Sequence, residues 1–152
     1  MHQAFQNMLE RPSWRRRTSN TRSSQTLAGL LLAGLAALIH LYIFYLESVA
    51  WTGAKAQATF GISPEEAEAT KSLAFNQGFY NLFLALIVAA GIVFFAAGST
   101  AIGAALTFAG AGSMAAAALV LFASSPDKRG AALKQGLLPL LGVSVLALGL
   151  SI

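Results

Sequence analysis

Two residues that can carry protons lie inside a stretch that otherwise carries almost none. His40 and Glu47 fall in an apolar run over residues 27–50 whose only other ionisable groups are Tyr42 and Tyr45. An ionisable side chain surrounded by lipid is expensive, so its presence points to a site. A histidine picks up and releases protons near neutral pH, and a carboxylate removed from bulk water can also exchange them. The two are seven positions apart, which is two helical turns or about 10 Å along a helix axis. They therefore share a face and cannot touch. Their partners must come from another segment.

The next apolar segment opens with suitable groups. Asn76, Gln77, Tyr80 and Asn81 precede or begin it. Gln77 and Asn81 share a face by their spacing of four, as do Asn76 and Tyr80. Glu47 closes the first segment and residues 76–81 open the second, so in antiparallel neighbours they meet at one depth, with His40 a level deeper. The expected site is a polar pocket of His40, Glu47, Asn76, Gln77, Tyr80 and Asn81, opening toward the loop that joins the two segments. Its amides and phenol add donors and acceptors that fix a ligand's orientation. The set suits a head group, a small polar solute or a proton path. It suits a transition metal poorly, since one histidine and one carboxylate two turns apart are too few. Phosphate-loop, GxSxG and dinucleotide motifs are absent. No cofactor is expected.

Each residue also has a plain structural role open to it. His40 could donate to a backbone carbonyl, Glu47 could reach water or Lys55 or Lys71, and Asn76 and Gln77 could cap or hinge a helix. Tyr42, Tyr45 and Trp51 fit an interfacial aromatic belt.

Composition supplies the elements that position these groups. Of 152 residues, 56% are hydrophobic and 11% charged, against roughly 25% charged in soluble domains. So much apolar surface needs lipid as its solvent. Four apolar segments, about 27–50, 79–97, 100–123 and 131–152, each approach the ~20 residues that cross a hydrocarbon core. They run continuously rather than alternating, which disfavours strands. The expected fold is all-α: a four-helix transmembrane bundle with a helical loop between spans one and two. In that loop Ser63, Pro64 and Glu66 form a helix start with a capping box. The helix from Pro64 either continues into the second span, bending near Gly78, or lies on the membrane surface. Small residues supply packing stripes: Gly29, Ala33 and Ala36 with His40 and Glu47 in the first segment, Ala85 and Ala89 in the second, and Ala101, Ala105, Ala109, Ser113 and Ala117 in the third. Pro139 predicts a kink in the fourth. Self-association into a homo-oligomer is allowed.

Residues 1–26 are Arg- and Ser-rich and read as a disordered tail, with an organelle transit peptide as the alternative. A cleaved signal ending at Ala54-Lys55-Ala56 is disfavoured, because the apolar run is too long and contains Glu47. Five of the ten basic residues lie in this tail, beside a membrane segment. That reads as a topology signal or an anionic-lipid contact rather than nucleic-acid binding. The remaining five, Lys55, Lys71, Lys128, Arg129 and Lys134, fall on the opposite side. The flanks of the first helix break the tie, five against two, and place both termini in the cytoplasm, as in a bacterial inner-membrane protein. The absence of cysteine removes disulfides and thiol chemistry.

The pattern His-x-Tyr-Ile-Phe-x-Leu-Glu at 40–47, Trp51, Phe60-Gly61 and Asn76-Gln77-Gly78-x-Tyr80-Asn81-x-Phe83-Leu84-Ala85 resembles the small bacterial integral-membrane proteins grouped as domain of unknown function 1304. The resemblance covers about residues 27–150 and implies a four-span membrane protein without an assigned activity. The Arg-rich tail departs from it, since members usually begin close to the first span. Three functions compete. One is binding or transport of a small or lipid-like molecule, proton-linked through Glu47 and His40. Another is a non-catalytic subunit or assembly factor. The third is a membrane enzyme acting on a lipid or isoprenoid substrate, with His40 or Glu47 as acid–base group and Tyr80 as orienting donor.

Overall fold

A computed structural model describes the backbone over residues 13–150 and side chains from residue 20 onward. Among the described residues five helices follow one another: α1 (Ser13–Phe44, closing in a π-helical turn at Tyr45–Val49), α2 (Ala54–Phe60), α3 (Pro64–Ala96), α4 (Thr100–Ser124) and, after a 3₁₀ turn at Pro126–Lys128, α5 (Arg129–Leu150). No strand occurs among the described residues. Helices α1, α3, α4 and α5 are long and apolar enough to cross a membrane. In lipid every backbone amide and carbonyl needs an internal partner, which a helix provides.

The four long helices form an antiparallel ring. Helix α1 packs on α5 and α3, α4 packs on α3 and α5, and α1 and α4 face each other on a diagonal. The centre holds Ala33, Ala36, Ala37, Ala85, Val88, Ala111 and Met114. The α1–α5 seam is close. A Cβ on Gly29 would lie 2.5 Å from the Leu146 amide nitrogen, one on Gly142 2.9 Å from that of Ala33, and one on Gly149 would collide with Thr26. Glycine here lets two backbones meet, which in lipid substitutes dispersion contact for the absent hydrophobic driving force.

Helix α3 settles the open choice at Pro64. It is a single helix from Pro64 to Ala96, about 50 Å long by its rise, so its first turns extend beyond a ~30 Å hydrocarbon core. Ser63 Oγ accepts from the Glu66 amide at 3.1 Å, as the capping box requires. Ser63→Ala should lower stability by about 1 kcal/mol, read by thermal unfolding in detergent, whereas Ser63→Asp should retain the cap. Gly78 is a point of close approach: a Cβ there would collide with Ser48.

The described part of α1 runs from Ser13, so residues 13–26 of the segment read as a tail are helical; residues 1–12 lie outside the described part. Ser24 Oγ donates to the Asn20 carbonyl and Thr26 Oγ1 to that of Arg22, so both hydroxyls are satisfied along the helix. Two expectations about packing faces are corrected. The ladder Ala101, Ala105, Ala109, Ser113, Ala117 faces outward, and α4 instead buries Gly103, Thr107, Gly110, Ala111, Met114 and Ala118. Small residues cost little against lipid, so a stripe of them does not select a face. Close approach does: Gly91 and Gly103 admit the facing backbones, while Thr107 Oγ1 is satisfied by donating to the Gly103 carbonyl. Ala89 is also exposed, whereas Ala85 beside it is buried. The first stripe, Gly29 through Glu47, is buried as expected. Pro139 lies inside α5 on its buried side. It has no N–H to offer, so the Gln135 carbonyl four residues earlier lacks its helical donor.

Candidate functional site

The polar residues gather at the end of the bundle formed by the close of α1, the middle of α3 and the junction of α4 with α5. His40 is 3% exposed and Glu47 9%. His40 Nδ1 lies 2.9 Å from the Ala36 carbonyl. A carbonyl only accepts, so Nδ1 carries the proton of this bond and Nε2 is left for another partner. No buried side-chain nitrogen or oxygen among the described residues lacks a partner; Nε2 therefore meets the cavity that His40 lines rather than packed protein.

Glu47 sits in the π-helical turn. The Ala50 amide reaches back to the Tyr45 carbonyl at 3.0 Å, closing the wider loop. Ser48 Oγ donates to the Phe75 carbonyl at 2.9 Å and seats on Gly78, which ties the turn to α3. Glu47 Oε2 then accepts from Asn81 Nδ2 at 2.8 Å. The same Asn81 nitrogen donates its other hydrogen to the Gln77 carbonyl at 3.1 Å. Both amide hydrogens are engaged, so the remaining hydrogen-bonding capacity of the Asn81 side chain is its oxygen, an acceptor. The basic residues weighed as partners of Glu47 are occupied elsewhere: Lys71 lies 4.0 Å from Glu68, and Lys55 sits over the Tyr42 ring.

A cavity of about 300 Å³ joins these groups, at the lower end of the range for small-molecule sites. His40, Glu47, Gln77, Tyr80 and Asn81 line it; Asn76 does not. Asn76 is exposed, as are Gln77 and Tyr80; it lies one turn before Tyr80, nearer the start of α3. Three further polar or aromatic contributors come from segments that spacing did not connect to the pocket: Phe60 at the end of α2, Lys128 in the 3₁₀ turn and Gln135 in α5. Gln135 carried a usable signal, as a lone amide within an apolar span. Lys128 did not, since a basic residue in a short loop reads as topology. Leu84, Met114 and Leu121 form apolar walls. Trp51 does not line the cavity; its Nε1 donates to Thr70 Oγ1 at 3.2 Å and its ring packs on Phe60 at 5.2 Å.

The residues that line the cavity thus include side chains able to accept (His40, Glu47, Asn81) and to donate (Gln77, Gln135, Tyr80, Lys128). Among the described residues no group of three or more histidine, cysteine or carboxylate side chains is placed to hold a metal ion.

Four long apolar helices packed together define an integral membrane protein built on a helical bundle. The chain belongs to the family described as Protein of unknown function (DUF1304), whose family model it matches over residues 34–147. That match spans His40, Glu47 and the α3 and α5 groups of the cavity. No curated protein and no solved structure matches the chain.

Proposed function

We propose that this protein binds a small, bifunctional polar molecule in the cavity of His40, Glu47, Gln77, Tyr80, Asn81, Lys128 and Gln135, entered from the side of the α1–α3 loop. One observation carries the reading: donors and acceptors from four segments converge on one cavity while several keep hydrogen-bonding capacity unused by the protein. His40, Glu47 and Asn81 present acceptors to the donor end of the ligand, an amine or hydroxyl. Lys128 and the two glutamine amides suit a carboxylate or carbonyl end. The volume favours such a solute over a whole acyl chain, which lowers the case for a lipid-cleaving enzyme.

Proton exchange between ligand and the Glu47–His40 levels is part of this proposal, and transport is its extension. The termini are placed in the cytoplasm of a bacterial cell and the cavity on the outer side, on the charge count flanking α1. The tight glycine seams in the other half of the bundle favour a one-sided binding site over a continuous path. A second reading has its own support. The Glu47–Asn81 and His40–Ala36 bonds are also what internal struts of a non-catalytic subunit would make.

The test is a thermal-shift screen of the detergent-purified protein with amino acids, small amines, carboxylates and polyols. A ligand present at 100 times its Kd should stabilise by about 2.7 kcal/mol. Zwitterionic or amino-alcohol probes should raise Tm in the wild type and not in Lys128→Met or His40→Phe. Equal shifts in wild type and both variants, or none with any probe class, would leave the strut reading.

A further inference from the structure

At the opposite end of the bundle a second concavity lies between α1 and the last turns of α3, closed at one end by the C-terminal turn of α5. It has a volume of about 1080 Å³ and an almost wholly apolar lining, with Leu27, Leu31, Leu38, Ile92 and Phe95 along it and Arg22 at its mouth. Gly34 deepens it, since the nearest atom to a Cβ there would be the tip of Ile92 at 3.4 Å. From Leu27 to Leu38 the groove runs about 16 Å along α1, which matches the ~15 Å depth of one leaflet's hydrocarbon. Arg22 stands more than one turn beyond Leu27, where headgroups would lie if the hydrocarbon begins near Leu27. It is exposed and makes no ion pair among the described residues.

We propose that this groove is a binding site for an anionic glycerophospholipid, with an acyl chain lying along α1 and the phosphate on Arg22. Charge complementarity selects that occupant over a second copy of the chain. A copy inserted in the same orientation brings its own basic end to this level. The acidic residues of the described part, Glu47, Glu65, Glu66, Glu68 and Asp127, all lie at the other end of the bundle. An arginine fork pairs with phosphate oxygens in a way no uncharged headgroup reproduces.

The full chain is purified and offered equal amounts of phosphatidylglycerol and a neutral lipid of the same acyl chains, a diacylglycerol, with retention read by native mass spectrometry. The wild type should retain phosphatidylglycerol preferentially. Arg22→Gln should reduce that preference roughly fivefold, the factor for one basic residue at a membrane surface. Gly34→Leu should reduce retention of both lipids by filling the groove. Because the chain has no cysteine, Leu31→Cys gives a unique crosslinking site within the groove. An unchanged preference in Arg22→Gln overturns the proposal, as does efficient Leu31→Cys homodimer crosslinking that added phosphatidylglycerol leaves unaffected.

Discussion

Gly29→Val is expected to prevent the bundle from closing. A Cβ at that position meets the backbone of Leu146 at 2.5–2.7 Å, and backbone atoms cannot rotate away as a side-chain tip can. Relief requires α1 and α5 to separate along their whole seam, because Gly142 against Ala33 and Gly149 against Thr26 are set by the same approach. Overpacking in an ordinary core costs about 1–3 kcal/mol; a backbone-on-backbone clash belongs at the top of that range or above it. Unfolding by SDS in mixed micelles should show a loss of at least about 3 kcal/mol. Gly112→Ala is the control, since nothing lies within 4 Å of its Cβ position, and its stability should change by less than about 1 kcal/mol.

The second large effect concerns Glu47 and Asn81. Asn81→Leu removes the donor to Glu47 Oε2 and leaves a 9%-exposed carboxyl group without that partner. The expected loss is about 1.5–3 kcal/mol, the range for a hydrogen bond to a charged group. Glu47→Leu combined with Asn81→Leu replaces both partners with apolar groups and should recover most of it. The pair of measurements also separates the two functional readings. If the bond is only a strut, the stable double variant keeps whatever the protein does. If Glu47 also meets the ligand, the double variant regains stability and loses the ligand-induced rise in Tm.

Much of the site was legible before the fold was known. His40 and Glu47 stood out because lipid makes every buried polar group costly, and the antiparallel pairing of two consecutive spans brings the end of one beside the beginning of the next. That reasoning reaches Gln77, Tyr80 and Asn81, while Asn76, one turn before Tyr80, is not among the residues that line the cavity. It stops at the second helix. Whether α4 or α5 supplies the opposite wall depends on how the ring closes, and ring closure is a contest among several near-equal stripes of small residues.

The class of molecule was legible in the residues alone: four membrane helices, the helix start at Ser63 and the polar residues of the first two spans. These follow from local physics, namely hydrophobic length, capping chemistry and the cost of charge in lipid. Packing of the four helices against one another chose which face of α4 is buried and brought Lys128 and Gln135 to the cavity. Those outcomes turn on backbone approach between segments distant in the chain. A glycine reveals where such approach is permitted, and the partner that takes advantage of it is chosen only when all four helices pack together.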